Sequence, residues 1–180
     1  MKTSSGRRAL WHIASMCALL LATRAVLDAN PQTSPAAPAT DSTLAISGDV
    51  PRPLTLTPAE LKAMPRTTVS IVDQGREVKY TGVLVGELLA RAGAPLGREL
   101  SGAAVATYVV ASAKDGYQAV FSLAELDPAF TPNDIIIADT VDGQPLFEYQ
   151  GPFRLVAPHD KRGARSVRML QRLEVVRLKK

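Results

Sequence analysis

The chain has 180 residues, 21 of them lysine or arginine against 17 aspartates and glutamates, and a single cysteine. That is room for one domain of ordinary size, and the lone Cys17 excludes a disulfide framework or a multi-thiolate zinc site. The positive charge is local: Arg154 to Lys180 holds nine basic residues against Asp160 and Glu174, while Asn30 to Phe153 holds eight against fourteen acids. No aromatic residue follows Phe153, so the basic end lacks the stacking side chains of a nucleic-acid surface, and no nucleic-acid partner is expected.

Lys2, Arg7 and Arg8 precede an apolar run from Ala9 to Ala22, with small residues at Ala25 and Ala29. This charge-then-apolar order predicts a secretory signal over residues 1–29 and a periplasmic or secreted product. The run is closed by Arg24 and is too short for a comfortable span, so no stable membrane span is expected after cleavage. Arg7-Arg8 also supplies the arginine pair of the twin-arginine export route, without the aromatic residue usual two places later. Cys17 falls inside the signal. Residues 30–40, NPQTSPAAPAT, carry three prolines and no apolar period, and are expected to form a flexible linker. The folded domain is expected over 41–180.

Thr43 to Ser47 predicts a first strand, and Pro51 and Pro53 keep Leu54 and Leu56 extended. Thr57-Pro58-Ala59-Glu60 combines an N-cap, a first-turn proline and a glutamate three residues after the cap, which predicts a helix ended by Pro65. Thr67 to Val72 is rich in β-branched residues and pairs in expectation with Glu77 to Tyr80 through a turn at Asp73-Gln74-Gly75. Val85, Leu88, Leu89 and Ala92 recur at helical spacing and are followed by Gly93. Gly86 within that helix suggests close packing.

Val105 to Ala111 predicts a buried strand, Asp115-Gly116 a turn, and Tyr117 to Phe121 its partner. Ser122-Leu123-Ala124-Glu125 is a second capping box, whose helix Pro128 keeps short. Ile135 to Ala138 reads as a third buried strand. Asp142-Gly143 is a turn, and Phe153 to Val156 an apolar strand between Gly151-Pro152 and Pro158, interrupted only by Arg154. Met169-Leu170 reads as a helical turn, and Leu173 to Leu178 as the closing strand. Short strands with small helices and no strand-helix-strand rhythm predict a mixed α+β domain. No glycine-rich phosphate loop is present.

Catalytic chemistry has no clear signature. His159 is the one histidine beyond the signal and has no HxH, HExxH or cysteine companion, so no metal site is predicted. Ser122 serves better as a cap than as a nucleophile. Asp115 has a turn role, and Asp127, Asp134, Asp139 and Asp142 sit at element ends. The basic residues are the strongest candidates: Arg154 inside an apolar strand, then Lys161, Arg162, Arg165 and Arg168, with His159 beside them. Guanidinium forks suit phosphate or carboxylate, so an anionic ligand is expected at this edge, against the alternative of ordinary surface charge.

Several segments in order resemble the oxidoreductase molybdopterin-binding domain family, whose fold is that of sulfite oxidase. They are Tyr80-Thr81-Gly82-Val83 with Leu88-Leu89 and Ala92-Gly93, then Ala113-Lys114-Asp115-Gly116-Tyr117 and Phe121-Ser122-Leu123-Ala124-Glu125. Asp134 to Ala138, Gly143-Gln144-Pro145-Leu146, Gly151 to Pro158, Val167-Arg168 and Leu173-Glu174-Val175 continue the match. The resemblance implies a sheet-rich fold with short helices and a molybdenum-pterin cofactor used for oxygen-atom transfer or related reductions. It also implies a molybdenum-ligating cysteine just after the strand matching Thr67 to Val72, where this chain has Ser70-Ile71-Val72-Asp73 and no soft sulfur.

Two readings stay open on this sequence. One is an exported protein that binds molybdopterin, with the pterin phosphate on Arg154, Lys161, Arg162, Arg165 and Arg168. The other is a cofactor-free module on the same fold that binds an anionic small molecule or an exported partner protein. Oligomeric state has no sequence signal.

Overall fold

The computed structural model describes residues 42–179 except 74 and 133. The expected signal, the linker, Cys17 and the Arg7-Arg8 pair lie outside the described residues. Ten strands and two short α-helices follow in the order β1 (Leu44–Gly48), β2 (Leu54–Leu56), α1 (Pro58–Lys62), β3 (Thr67–Asp73), β4 (Arg76–Leu84), α2 (Val85–Ala92), β5 (Thr107–Ala113), β6 (Gln118–Ser122), β7 (Ile136–Val141), β8 (Gln144–Pro145), β9 (Arg154–Val156) and β10 (Leu170–Arg177). They make two sheets: β2-β1-β10-β5-β6, and β3-β4-β7 with β8 and β9 both paired to β7. The β1–β10 pair is parallel and the other pairs are antiparallel, a mixed α+β arrangement rich in sheet. No helix among the described residues is long and apolar enough to cross a membrane.

Local signals set most element boundaries. Thr57 caps α1 reciprocally: its Oγ1 accepts the Glu60 N–H at 3.3 Å, and Glu60 Oε2 accepts the Thr57 N–H at 2.8 Å. The backbone and side-chain bonds from Thr57 hold the Glu60 carboxyl below its ordinary pKa. Ser122 and Glu125 repeat the device at a single tight helical turn, with bonds of 3.2 and 2.8 Å. In α2 the helical spacing buries Val85, Leu88, Leu89 and Ala92 completely, and Gly93 closes it with φ 80, where a Cβ would be strained. Gly86 packs closely: a Cβ there would lie 2.6 Å from the Leu126 carbonyl oxygen.

One face of each sheet and the apolar stripe of α2 meet in a single core, including Leu44, Ile46, Val109, Phe121, Ile137, Leu155 and Leu173. The other face of the second sheet carries a smaller cluster of Val69, Val78, Tyr80, Ile136, Ala138, Val141 and Val156. Strand alternation separates the two, so that Leu155 enters the main core while its neighbours Arg154 and Val156 face the smaller one.

Two expected elements differ. The strand expected from Val105 begins at Thr107, because β10 ends at Arg177, the partner of Thr107, and Val105 has no ladder to join. Residues Gly102–Ala106 coil as a tight helical turn instead. Met169-Leu170 is not a helical turn. Met169 has φ 46, its N–H donates to the Gln150 carbonyl at 2.8 Å, and that of Leu170 to Phe153 at 2.8 Å. Those distant carbonyls replace the local ones a helix would use, and β10 starts at Leu170.

Candidate functional site

A cavity of about 680 Å³ opens on the outer face of the second sheet, within the size range of small-molecule pockets. The end of β3 (Ile71, Val72, Asp73), the β5–β6 turn (Asp115, Tyr117) and the segment from Ala157 to Arg168 form its walls, and Arg154 of β9 contributes from the sheet.

Arg154 is there because strand alternation turns it to the same face as Tyr80, two strands away. It is 5% exposed. Its Nη1 donates to the Tyr80 hydroxyl at 2.5 Å and to Gln150 Oε1 at 3.0 Å, and its guanidinium carbon lies 4.6 Å from the centre of the Tyr80 ring. Its Nε is buried without a hydrogen-bond partner, and Arg154 takes part in none of the ion pairs among the described residues. Burial lowers its pKa and, in the same place, raises that of Tyr80; in each case the other group and Asp73 add smaller effects through space. A buried cation bonded only to neutral groups keeps most of its desolvation cost. An anion in the cavity would offset it.

The other expected cations divide. Lys161 and Arg168 line the same cavity as Arg154. Arg168 also lies 5.6 Å from the Tyr149 ring centre, and Tyr149 stacks on Phe147 at 5.8 Å. Arg165 is engaged elsewhere: it bonds Asp160 twice, at 2.8 and 2.7 Å, and Glu125 at 3.0 Å, and covers the Phe121 ring at 4.8 Å. The bonds to Asp160, then Glu125, raise its pKa further. Together with the bond from the Tyr117 hydroxyl to the Ala164 carbonyl, 2.5 Å, Arg165 pins the wall of the cavity. His159 and Arg162 are exposed and do not line it.

The carboxylates are dispersed. Asp115 accepts the Tyr117 N–H at 3.0 Å, the turn role expected of it, and also borders the cavity. Asp127 accepts from the backbone of Gly97 and Ala129, Asp139 holds Arg66, and Asp142 holds Lys79 N–H and Arg76. Asp73, expected to have a turn role, borders the cavity near Arg154. Among the described residues no three of His, Cys, Asp or Glu gather as a metal site, and no cysteine occurs after Cys17.

Sequence reasoning reached Arg154 because a charged residue broke an apolar run. It missed Tyr80 and Gln150, which anchor Arg154, and the apolar wall from Ile71 to Val72. Tyr80 occupies an ordinary inward position of a strand, and its partner lies 74 residues away.

A model of the oxidoreductase molybdopterin binding domain matches residues 31–180. Among solved structures, the sulfane dehydrogenase SoxCD from Paracoccus pantotrophus superposes with a TM-score of 0.59 at 24% identity, over 75% of this chain and 38% of that one. This chain therefore spans well under half the length of that protein, and the likeness concerns the fold. No curated protein matches the sequence.

Proposed function

This chain belongs to the oxidoreductase molybdopterin-binding domain family, and on that premise we propose that it is an exported binding module that holds an anionic, phosphate-bearing small molecule in the cavity over Arg154. The observation that carries this reading is the buried Arg154, which among the described residues bonds no carboxylate and leaves its Nε idle, on the wall of a cavity that Lys161 and Arg168 also line. Three cations line the cavity, one of them desolvated; of the carboxylates beside them Asp115 holds the Tyr117 N–H and Asp160 holds Arg165, which leaves Asp73 opposite the cations. The cations suit a phosphate group through charge-assisted bonds. Ile71, Val72, Ala157 and Pro158 supply apolar wall for the rest of the ligand. The charged-then-apolar order of the first 29 residues supports export.

The two parts of a molybdenum-pterin group fare differently against these residues. A phosphate-bearing organic part has the three cations and enough volume. The metal has no thiolate from residues 18–180, and hard carboxylates are poor substitutes for the soft sulfur that part requires. The residues do not fit the metal, and the proposed binding role involves no redox step. A pterin without metal and an unrelated organic phosphate share the chemistry that Arg154 recognises.

The test has two arms. Molybdenum is quantified by elemental mass spectrometry, and released pterin by fluorescence, in protein recovered after export from a host that makes the cofactor. The same protein is titrated calorimetrically with inorganic phosphate and with a pterin phosphate, beside Arg154→Met. Expected is saturable anion binding that Arg154→Met weakens at least tenfold, with pterin, if it is the native ligand, present without stoichiometric molybdenum. Stoichiometric molybdenum would overturn the metal-free reading. An absence of anion binding by wild-type protein would overturn the site itself.

A further inference from the structure

β3 is the outer strand of the second sheet, seven residues long, and among the described residues it pairs only with β4. Its open side can be read from the register. Ser70 lies opposite Lys79, and both backbone groups of Lys79 turn toward the β7 side, its N–H to Asp142 Oδ1 at 2.9 Å and its carbonyl to the Asp142 N–H at 2.7 Å. Ser70 and Lys79 are thus a non-hydrogen-bonded pair, and Ser70 directs its own N–H and C=O outward. By alternation Thr68 and Val72 do the same, and none of these backbone groups has a partner among the described residues.

Exposed edges are ordinarily blunted by brevity, proline, charge or a covering segment. The other edges have such protection. β2 has three residues between Pro53 and Pro58, and β8 has two, one of them Pro145. The flank of β6 is crossed by the Gly163–Arg165 segment, held through Tyr117 and Arg165. β3 carries neither proline nor lysine; its one charge, Asp73, is at the very end, and Val72 is 77% exposed.

We propose that β3 is a self-pairing edge, at which two copies of this chain join antiparallel about a two-fold axis through Ser70. The outward groups are self-complementary about that point: Ser70 meets its counterpart, and Thr68 of each copy meets Val72 of the other. About six main-chain hydrogen bonds result from two identical patches, and the contact closes on itself. The facing residues are neutral, so a second copy meets no like charge. Each Val72, which borders the cavity, is covered by the other copy's Thr68, and the two second sheets become continuous.

Cross-linking tests the register directly. In a Cys17→Ser background, Ser70→Cys places two thiols on the axis with α-carbons about 5.5 Å apart, inside the roughly 4.4–6.8 Å that a disulfide spans. Thr68→Cys puts its pair about 14–15 Å apart, four residues along the strand and one strand spacing across. Mild oxidation is expected to cross-link the first variant and not the second. Sedimentation of the full chain is expected to show a concentration-dependent dimer. Ser70→Lys raises its dissociation constant at least tenfold, while Val120→Lys on the β6 edge leaves it unchanged. Ser70→Pro removes only an outward N–H, so it keeps the wild-type circular dichroism and loses the dimer; if that variant does not fold, the lysine variant decides. A monomer at every concentration, a dimer indifferent to Ser70→Lys, or equal cross-linking of both cysteine variants would overturn the proposal.

Discussion

The two faces of the second sheet are built from the same strands and do opposite things. The inner face sends Val83, Ile137 and Leu155 into the main core, where each is fully buried among apolar neighbours from both sheets and α2. The outer face, one residue away along each strand, has a cluster of seven apolar residues, a buried arginine that forms no ion pair among the described residues, and a cavity. The inner face is shaped for stability where it meets the first sheet and α2, since Val83, Ile137 and Leu155 are packed on all sides. The outer face carries an unmet electrostatic demand, which is the mark of a site and not of a core.

The sharpest way to separate the faces is to truncate adjacent residues of β9. Leu155→Ala removes a fully buried side chain from the main core and is expected to cost about 2–5 kcal/mol in denaturant unfolding. Arg154→Met, one residue earlier, is expected to change ligand-free stability by about 1 kcal/mol or less, because the lost bonds to Tyr80 and Gln150 are set against relief of a buried charge. Its effect falls on anion affinity, with a tenfold to roughly hundredfold loss. Equal destabilisation by the two substitutions would show that the outer face is simply more core.

The wall of the cavity gives a finer test. Arg165 is partly exposed and makes charge-assisted bonds to Asp160 and Glu125, so Arg165→Ala is expected to cost about 1 kcal/mol after solvent screening. Phosphate affinity is expected to fall less than with Arg154→Met, because Arg165 positions the wall and does not face the ligand. A larger loss of affinity than at Arg154 would move the site.

The smallest effect is far from either face. Glu60 has a lowered folded-state pKa, so its stabilising contribution is present above the unfolded carboxylate value of about 4.3 and is lost as pH falls through the lower folded value. The difference in melting temperature between wild type and Glu60→Gln is expected to be flat near neutrality and to shrink in acid below about pH 4. A difference that grew with acid would contradict the cap geometry.

Much of the architecture could be read locally. Thr57 and Glu60, Ser122 and Glu125, the Asp142-Gly143 turn and the spacing of Val85, Leu88, Leu89 and Ala92 each act within a few residues, so their chemistry is present in any window of sequence. The limits of β5 and β10 were less legible, because each ends where its partner ends. The six basic or titratable candidates looked alike in sequence, yet they divide into Arg154, Lys161 and Arg168 around the cavity, Arg165 in the wall, and His159 and Arg162 in solvent.

Sequence alone therefore determined the caps, the turns, the alternation of the strands and the absence of a thiolate beyond residue 17, all properties of composition and near neighbours. Tertiary structure decided which arginine lost its solvent without bonding a carboxylate among the described residues, and which strand edge is left unpaired among them. Arg165 finds Glu125 across 40 residues and Arg154 finds Tyr80 across 74. The energy of a charge depends on what surrounds it, and that is fixed only when distant strands are brought together.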